Sequence, residues 1–205
     1  MIVKVCGMRE ARNIGQVEQS GADWMGFIFY GRSPRFVASC PDYLPQTMKR
    51  VGVFVNADLN DILAHVGEFG LDAVQLHGAE TPEMCCELRN SGLTVIKAFA
   101  LRSEADVEGV ETYEGACNYF LFDTPTSGFG GSGRKFDWTL LDAYHGMTPF
   151  LLSGGLSADS LEALSQFSHP RWAGIDLNSG FETAPAVKDA SALKQFINEF
   201  KKLSI

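Results

Sequence analysis

Short runs of β-branched and aromatic residues recur along this chain at nearly even intervals, and that rhythm restricts the fold more than any other feature. Strand-like runs begin near Ile2 (IVKVC), Trp24 (WMGFIF), Arg50 (RVGVFV), Ala73 (AVQL), Val95 (VIKAF), Tyr119 (YFLF), Phe150 (FLLS) and Gly174 (GIDL). Their onsets lie roughly 22, 26, 23, 22, 24, 31 and 24 residues apart, close to one strand plus one helix each time. The intervening stretches are amphipathic. Leu59, Ile62, Leu63, Val66 and Phe69 follow the spacing of a helix with one buried face, as do Leu193, Phe196, Ile197 and Phe200. Thr81-Pro82 reads as an N-cap followed by the first helical residue, and Ser103 with Asp106 as a relative of the capping box. Gly21 and Gly92 fall where helix C-caps are expected.

Eight strand–helix units in a row fit either a closed (β/α)₈ TIM barrel of parallel strands or an open, doubly wound sheet. An open sheet of this size normally carries a Gly-rich dinucleotide turn after its first strand; here that turn is CGMRE, with one glycine. The reading is therefore a closed, eight-stranded α/β barrel. With 205 residues, about 26 per unit, it predicts one catalytic domain over residues 1–205, near the short end for this fold. No stretch of about 18 apolar residues occurs, so no membrane span is expected. The start, MIVKVCGMRE, lacks a signal-peptide layout and points to the cytoplasm. Five cysteines, with Cys85 and Cys86 adjacent, suit a reducing compartment rather than a disulfide framework. A net charge of -8 argues against nucleic acid as a partner but leaves room for a small anion held at a local positive site. A monomer and a homodimer are equally compatible with this composition.

In a barrel the active site forms at the C-terminal ends of the strands. Polar and glycine residues concentrate there: Cys6-Gly7, the segment from Phe29 to Arg35, Val55-Asn56, His77-Gly78, Asp123-Thr124, Ser153-Gly154-Gly155 and Asp176 to Gly180. The glycine-containing turns after the last two strands suit a phosphate, because glycine lets backbone N–H groups approach an anion; plain tight turns are the alternative. Cys6 is either a small buried hydrophobe or a catalytic thiol, and strand alternation places Lys4 on its face, where an ammonium would favour the thiolate. Asp123 follows an apolar run, where a carboxyl is expensive unless used or paired. Gly128-Phe129-Gly130-Gly131-Ser132-Gly133 reads as a closing loop or a disordered connection, with Asp137 capping the following helix. Arg35 suits a carboxylate or phosphate, or is a solvated loop residue. His77 is either an acid/base group or a histidine bonded to structure. No Cys/His spacing indicates a metal site, and none of these residues calls for a cofactor.

Taken in order, Val3 to Gly7, Gly21-Ala22-Asp23 to Phe29, Ser33-Pro34-Arg35, Gly52 to Asn56, Gln75 to Gly78, Asp123-Thr124 and Gly130 to Gly133 with Phe136-Asp137-Trp138 are similar to the phosphoribosylanthranilate isomerase family of tryptophan biosynthesis. Ser153 to Leu156 and Asp176 to Glu182, followed by Lys188-Asp189, extend the resemblance over nearly the whole chain. One departure is Ala186, where the family often has glycine. The resemblance implies a barrel that catalyses a cofactor-free Amadori rearrangement, the isomerisation of N-(5-phosphoribosyl)anthranilate. It implies Asp123 as general acid, Cys6 as the base in its thiolate form, and Arg35 as partner of the anthranilate carboxylate. Gly154, Gly155, Asp176, Asn178, Ser179, Gly180, Gly130, Gly131 and His77 are the further residues expected to face the substrate. The related histidine-pathway sugar isomerase is the rival; an aspartate would be expected there at the end of strand one, and Cys6 disfavours it. A phosphometabolite-binding module without activity would need neither Cys6 nor Asp123.

Overall fold

In a computed structural model, which describes residues 1–123 and 138–203, the eight expected strands form a closed barrel. They are β1 (Ile2–Val5), β2 (Trp24–Ile28), β3 (Lys49–Phe54), β4 (Ala73–Leu76), β5 (Thr94–Ala100), β6 (Tyr119–Asp123), β7 (Phe150–Leu152) and β8 (Trp172–Leu177), each beginning within two residues of its expected onset. All neighbouring pairs are parallel, and β1 closes the ring on β8, with Ile2 opposite Gly174 and Val5 opposite Leu177.

Strand alternation divides the apolar residues into two layers. Trp24, Val51, Ala73, Ile96, Leu121 and Leu151 pack inside the barrel. Their sequence neighbours, among them Val3, Phe27, Phe54, Phe120 and Phe150, pack outward against the helices. Burial on both faces is why the strands read as continuous apolar runs rather than alternating ones.

The helices end where local chemistry dictates. α1 (Ala11–Glu18) follows β1, and α2 (Leu59–Phe69) starts at Asp58, whose carboxylate accepts from the Asp61 N–H, and stops at Gly70 in the left-handed region. α3 (Pro82–Asn90) has the expected Thr81 cap, with Gly92 just beyond its C-cap at φ 93°, and α4 (Glu104–Gly109) has the expected Ser103–Asp106 capping box. α5 (Leu161–Gln166) precedes β8. α6 (Ala190–Phe200) is capped by Asp189, which accepts from the N–H groups of Ser191 and Ala192. Gly21, at φ 87°, sits two residues past the α1 C-cap Gln19 rather than on it.

Two connections depart from the regular unit. No helix joins β2 to β3: Pro34, Pro41 and Pro45 break any helical run, and the segment crosses as irregular chain. Glu18 at the end of α1 ties it down, accepting from the Tyr43 hydroxyl, from the N–H groups of Gln46 and Thr47 at 2.6 and 2.7 Å, and from the Thr47 hydroxyl at 2.8 Å. After β6, the described part of the connection is a 3₁₀ helix, Trp138–Ala143, rather than an α-helix; the expected cap Asp137 lies outside the described residues.

Candidate active site

The residue that follows β1 is Cys6, whose backbone N–H donates to the Leu177 carbonyl of β8 at 2.8 Å. Its side chain is 3% exposed and turns into the barrel, where β2 makes room for it: a Cβ on Gly26 would lie 2.8 Å from the sulfur. Below it on the same strand face, Lys4 is fully buried, and its ammonium donates to Asp176 Oδ1 at 2.8 Å. Ser153, at the end of β7, donates to the other Asp176 oxygen at 3.4 Å. The expectation that Lys4 lies beneath Cys6 in the interior holds. Its charge and hydrogen bond also favour the thiolate, as expected, but they do not decide the balance. Burial pushes the Cys6 thiol above its ordinary range, and the Lys4 and Lys188 charges offset this only in part, because Asp176 adds a nearby negative charge.

Asp123 is the last residue of β6, three strands from β1 around the ring. Across the mouth, His77 follows β4, with its Nε2 3.6 Å from Asp123 Oδ2 and its Nδ1 2.9 Å from the Gln75 amide nitrogen. The loop bearing His77 is fixed from below. Glu80 accepts from the N–H groups of Asn56 and Gly78 at 2.8 and 2.9 Å, and the buried Lys97 ammonium donates to the Gly78 carbonyl at 2.8 Å. His77 is thus both bonded to the barrel, through Gln75, and adjacent to Asp123.

The loops after β2 and β8 meet beside Cys6. Arg35 donates through Nε and Nη2 to the two carboxylate oxygens of Glu182, at 2.8 and 2.6 Å. Lys188 donates to Glu182 Oε1 at 2.7 Å and to Asn178 Oδ1 at 2.6 Å. Glu182 opens β9 (Glu182–Ala184), which pairs antiparallel with β10 (Val187–Lys188). Asn13 of α1 fixes the hairpin by accepting from the Lys188 N–H at 2.8 Å and donating to its carbonyl at 2.9 Å. Burial pushes the Glu182 carboxyl up, but bonds from Arg35 and Lys188 outweigh it and hold the group below the usual carboxylate range. Arg35 passes over Gly7, where φ is +80° and a Cβ would lie 2.6 Å from the Arg35 side chain and 2.9 Å from that of Asn178. Arg35, expected as a free anion binder, therefore already carries a carboxylate of the protein. Glu182 and Lys188 entered the sequence reading only through the family resemblance, with no role given to either, and Arg35, the third member, is 147 positions from Glu182.

The turns after β7 and β8 converge. Gly154 and Gly155 both take positive φ, 88° and 67°, and Asn178 leads into a one-turn 3₁₀ helix, Ser179–Phe181. A Cβ on Gly180 would lie 2.1 Å from the Leu156 carbonyl oxygen, so glycine is what allows the two turns to touch. Asp176 faces Lys4 in the interior below them. Gly130, Gly131 and the rest of the glycine-rich segment after β6 lie outside the described residues.

A parallel (β/α)₈ barrel with its ionisable side chains gathered at the strand C-termini defines a barrel enzyme. The chain belongs to the phosphoribosylanthranilate isomerase family: residues 3–199 match the family described as N-(5'phosphoribosyl)anthranilate (PRA) isomerase. An N-(5'-phosphoribosyl)anthranilate isomerase of Phocaeicola vulgatus is 58% identical over 202 residues, covering 98% of each chain. The crystal structure of phosphoribosyl anthranilate isomerase from Thermotoga maritima superposes with a TM-score of 0.84 at 34% identity, covering 99% of this chain and 100% of that one. A crystal structure of phosphoribosyl anthranilate isomerase in complex with reduced 1-(o-carboxyphenylamino)-1-deoxyribulose 5-phosphate gives a TM-score of 0.81 at 33% identity with the same coverage. Among the described residues, no helix is long and apolar enough to cross a membrane.

Proposed function

We propose that this protein isomerises N-(5-phosphoribosyl)anthranilate to 1-(2-carboxyphenylamino)-1-deoxyribulose 5-phosphate, a step of tryptophan biosynthesis, on one catalytic domain spanning residues 1–205. It works in the cytoplasm, as a monomer or homodimer, with no cofactor. The observation that carries this reading is the placement of Cys6 and Asp123 at the ends of strands three apart on one barrel mouth, with the glycine turns of β7 and β8 at the same end.

Asp123, in its protonated form, gives its proton to the ribose ring oxygen. The C1–O bond breaks, and the amine nitrogen's lone pair completes a Schiff base. Cys6, as thiolate, then takes the C2 proton; the C–H electrons pass into the Schiff base to give an enolamine, which tautomerises to the ketone. Arg35 holds the anthranilate carboxylate. The backbone of Gly154-Gly155 and of Asn178-Ser179-Gly180 holds the phosphate, and Gly130 and Gly131 are further substrate-binding residues. His77 lines the mouth beside Asp123, and Asp176 lies beneath, held by Lys4. Anchoring both ends of the substrate brings C2 to the sulfur and the ring oxygen to the carboxyl, which lowers the barrier through orientation.

Loss of anthranilate fluorescence on mixing purified protein with freshly made substrate tests the reading. Wild type turns over without added metal or nucleotide. Cys6→Ala and Asp123→Asn each lower kcat by on the order of 10²–10⁴-fold while still binding the reduced product analogue. Full activity in either variant removes that residue from its role, and an inactive wild type that binds the analogue points to a binding module instead.

A further inference from the structure

Glu182 carries a denser set of donors than any simple surface pair. Its Oε1 accepts from Arg35 Nε at 2.8 Å, from the Lys188 ammonium at 2.7 Å and from the Ala186 N–H at 3.1 Å, and its Oε2 accepts from Arg35 Nη2 at 2.6 Å. The Arg35 side chain is 15% exposed, whereas those of Glu182 and Lys188 are 6% and 0% exposed, so only the arginine borders the mouth. A guanidinium has five N–H donors in one plane. The fork to Glu182 uses Nε and one hydrogen of Nη2, which fixes that plane and leaves the Nη1 edge for a ligand. Two cations and one carboxylate leave the cluster with one unit of positive charge.

We propose that Glu182 is a positioning residue, whose carboxylate sets the plane of Arg35 so that its remaining edge meets the carboxylate of the arylamine substrate. Lys188 supports it from the buried side and keeps the cluster positive despite the added carboxylate. The inference rests on the reading of Arg35 given above.

Positioning and simple electrostatics make opposite forecasts. Replacing Glu182 by glutamine raises the cluster charge by one unit, which by Coulomb attraction alone strengthens binding of an anionic group. It also turns an amide N–H₂ toward an arginine or lysine donor, which breaks the fork or displaces Lys188. If orientation matters, carboxylate recognition weakens.

The test compares two reduced product analogues, one with the carboxyphenylamino group and one with phenylamino, by titration calorimetry. Wild type is expected to favour the carboxylate form by on the order of 10- to 100-fold, the range of a charge-assisted hydrogen bond. In Glu182→Gln that preference falls to within about threefold, well below one such bond, while affinity for the phenylamino analogue stays near wild type. A merely structural defect lowers both affinities together and leaves the ratio unchanged. Glu182→Asp keeps the charge but is one methylene too short for the fork, and the ratio falls there too. It stands as the second variant if the glutamine protein does not fold. In turnover, KM rises more than kcat falls in both variants. An undiminished or larger ratio in the Glu182 variants overturns the inference. Arg35→Gln separates the two levels: if it too keeps the full ratio, the assignment of Arg35 fails first, and if it loses the ratio while the Glu182 variants keep it, only the positioning role fails.

Discussion

At the scale of single residues, burial lifts the Cys6 thiol while the charges of Lys4 and Lys188 pull it down, and the balance stays above the ordinary range. A base must be deprotonated to act, so the raised thiol shifts its working form to higher pH. The account predicts that the ultraviolet thiolate absorbance of Cys6, taken as wild type minus Cys6→Ala, still rises with pH past about 8.5, where an unperturbed thiol is half ionised. A profile measured from pH 6 to 10 at constant ionic strength checks this, and a plateau reached by neutral pH contradicts it. The placement of Cys6 and Asp123 at strand ends was legible in the sequence because the strand rhythm marks where each strand stops. The partnerships were not. Lys4 lies two residues from Cys6, which parity alone places beneath it. Its carboxylate partner Asp176 is 172 positions away, and no periodicity encodes a contact between the first strand and the last. Ala186, the one departure noted from the family pattern, takes φ 66°, a conformation that strains a side chain where glycine would not; its N–H donates to Glu182, which explains why the turn is held there.

At the scale of elements, helices and strands followed from spacing and caps: Thr81-Pro82 and the Ser103–Asp106 box lie where the pattern put them, and the α2 stripe is buried at Ile62 and Phe69, whereas Leu63, expected on the same face, is exposed. The β2–β3 connection did not, because an even interval of about 26 residues reads as a helix whether or not one forms. There the segment is held by tertiary bonds to one carboxylate, Glu18, at the end of α1. Removing it leaves the Gln46 and Thr47 N–H groups without their acceptor. Glu18→Ala is expected to lower stability by ~2 kcal/mol, from unmet backbone donors, with kcat within about twofold of wild type, since changes remote from the reacting groups leave transition-state contacts in place. Urea unfolding followed by fluorescence measures it; a change below ~0.5 kcal/mol, the size of an ordinary surface substitution, means that the segment is held by its own packing.

At the scale of the whole molecule, closure of the ring brings residues from the first and last strands to one point. Ile2 to Val5 pair with Gly174 to Leu177, and Gly174 permits it, since a Cβ there would lie 2.1 Å from the Ile2 carbonyl oxygen. Closure lets Cys6, Asn178 and the hairpin bearing Glu182 and Lys188 share a wall, and sets Asp123 and His77 opposite. The account assigns the two ends of the substrate to different groups at that mouth: phosphate at the turns of β7 and β8, anthranilate carboxylate at Arg35. A crystal structure with the reduced product analogue tests this directly. The account predicts the phosphate within hydrogen-bonding distance of the Gly154-Gly155 and Ser179-Gly180 backbone, the carboxylate on the free edge of Arg35 with the Glu182 fork intact, and the reacting carbons between Cys6 and Asp123. A phosphate bound at Arg35, or an analogue seated away from the β7 and β8 turns, would contradict it.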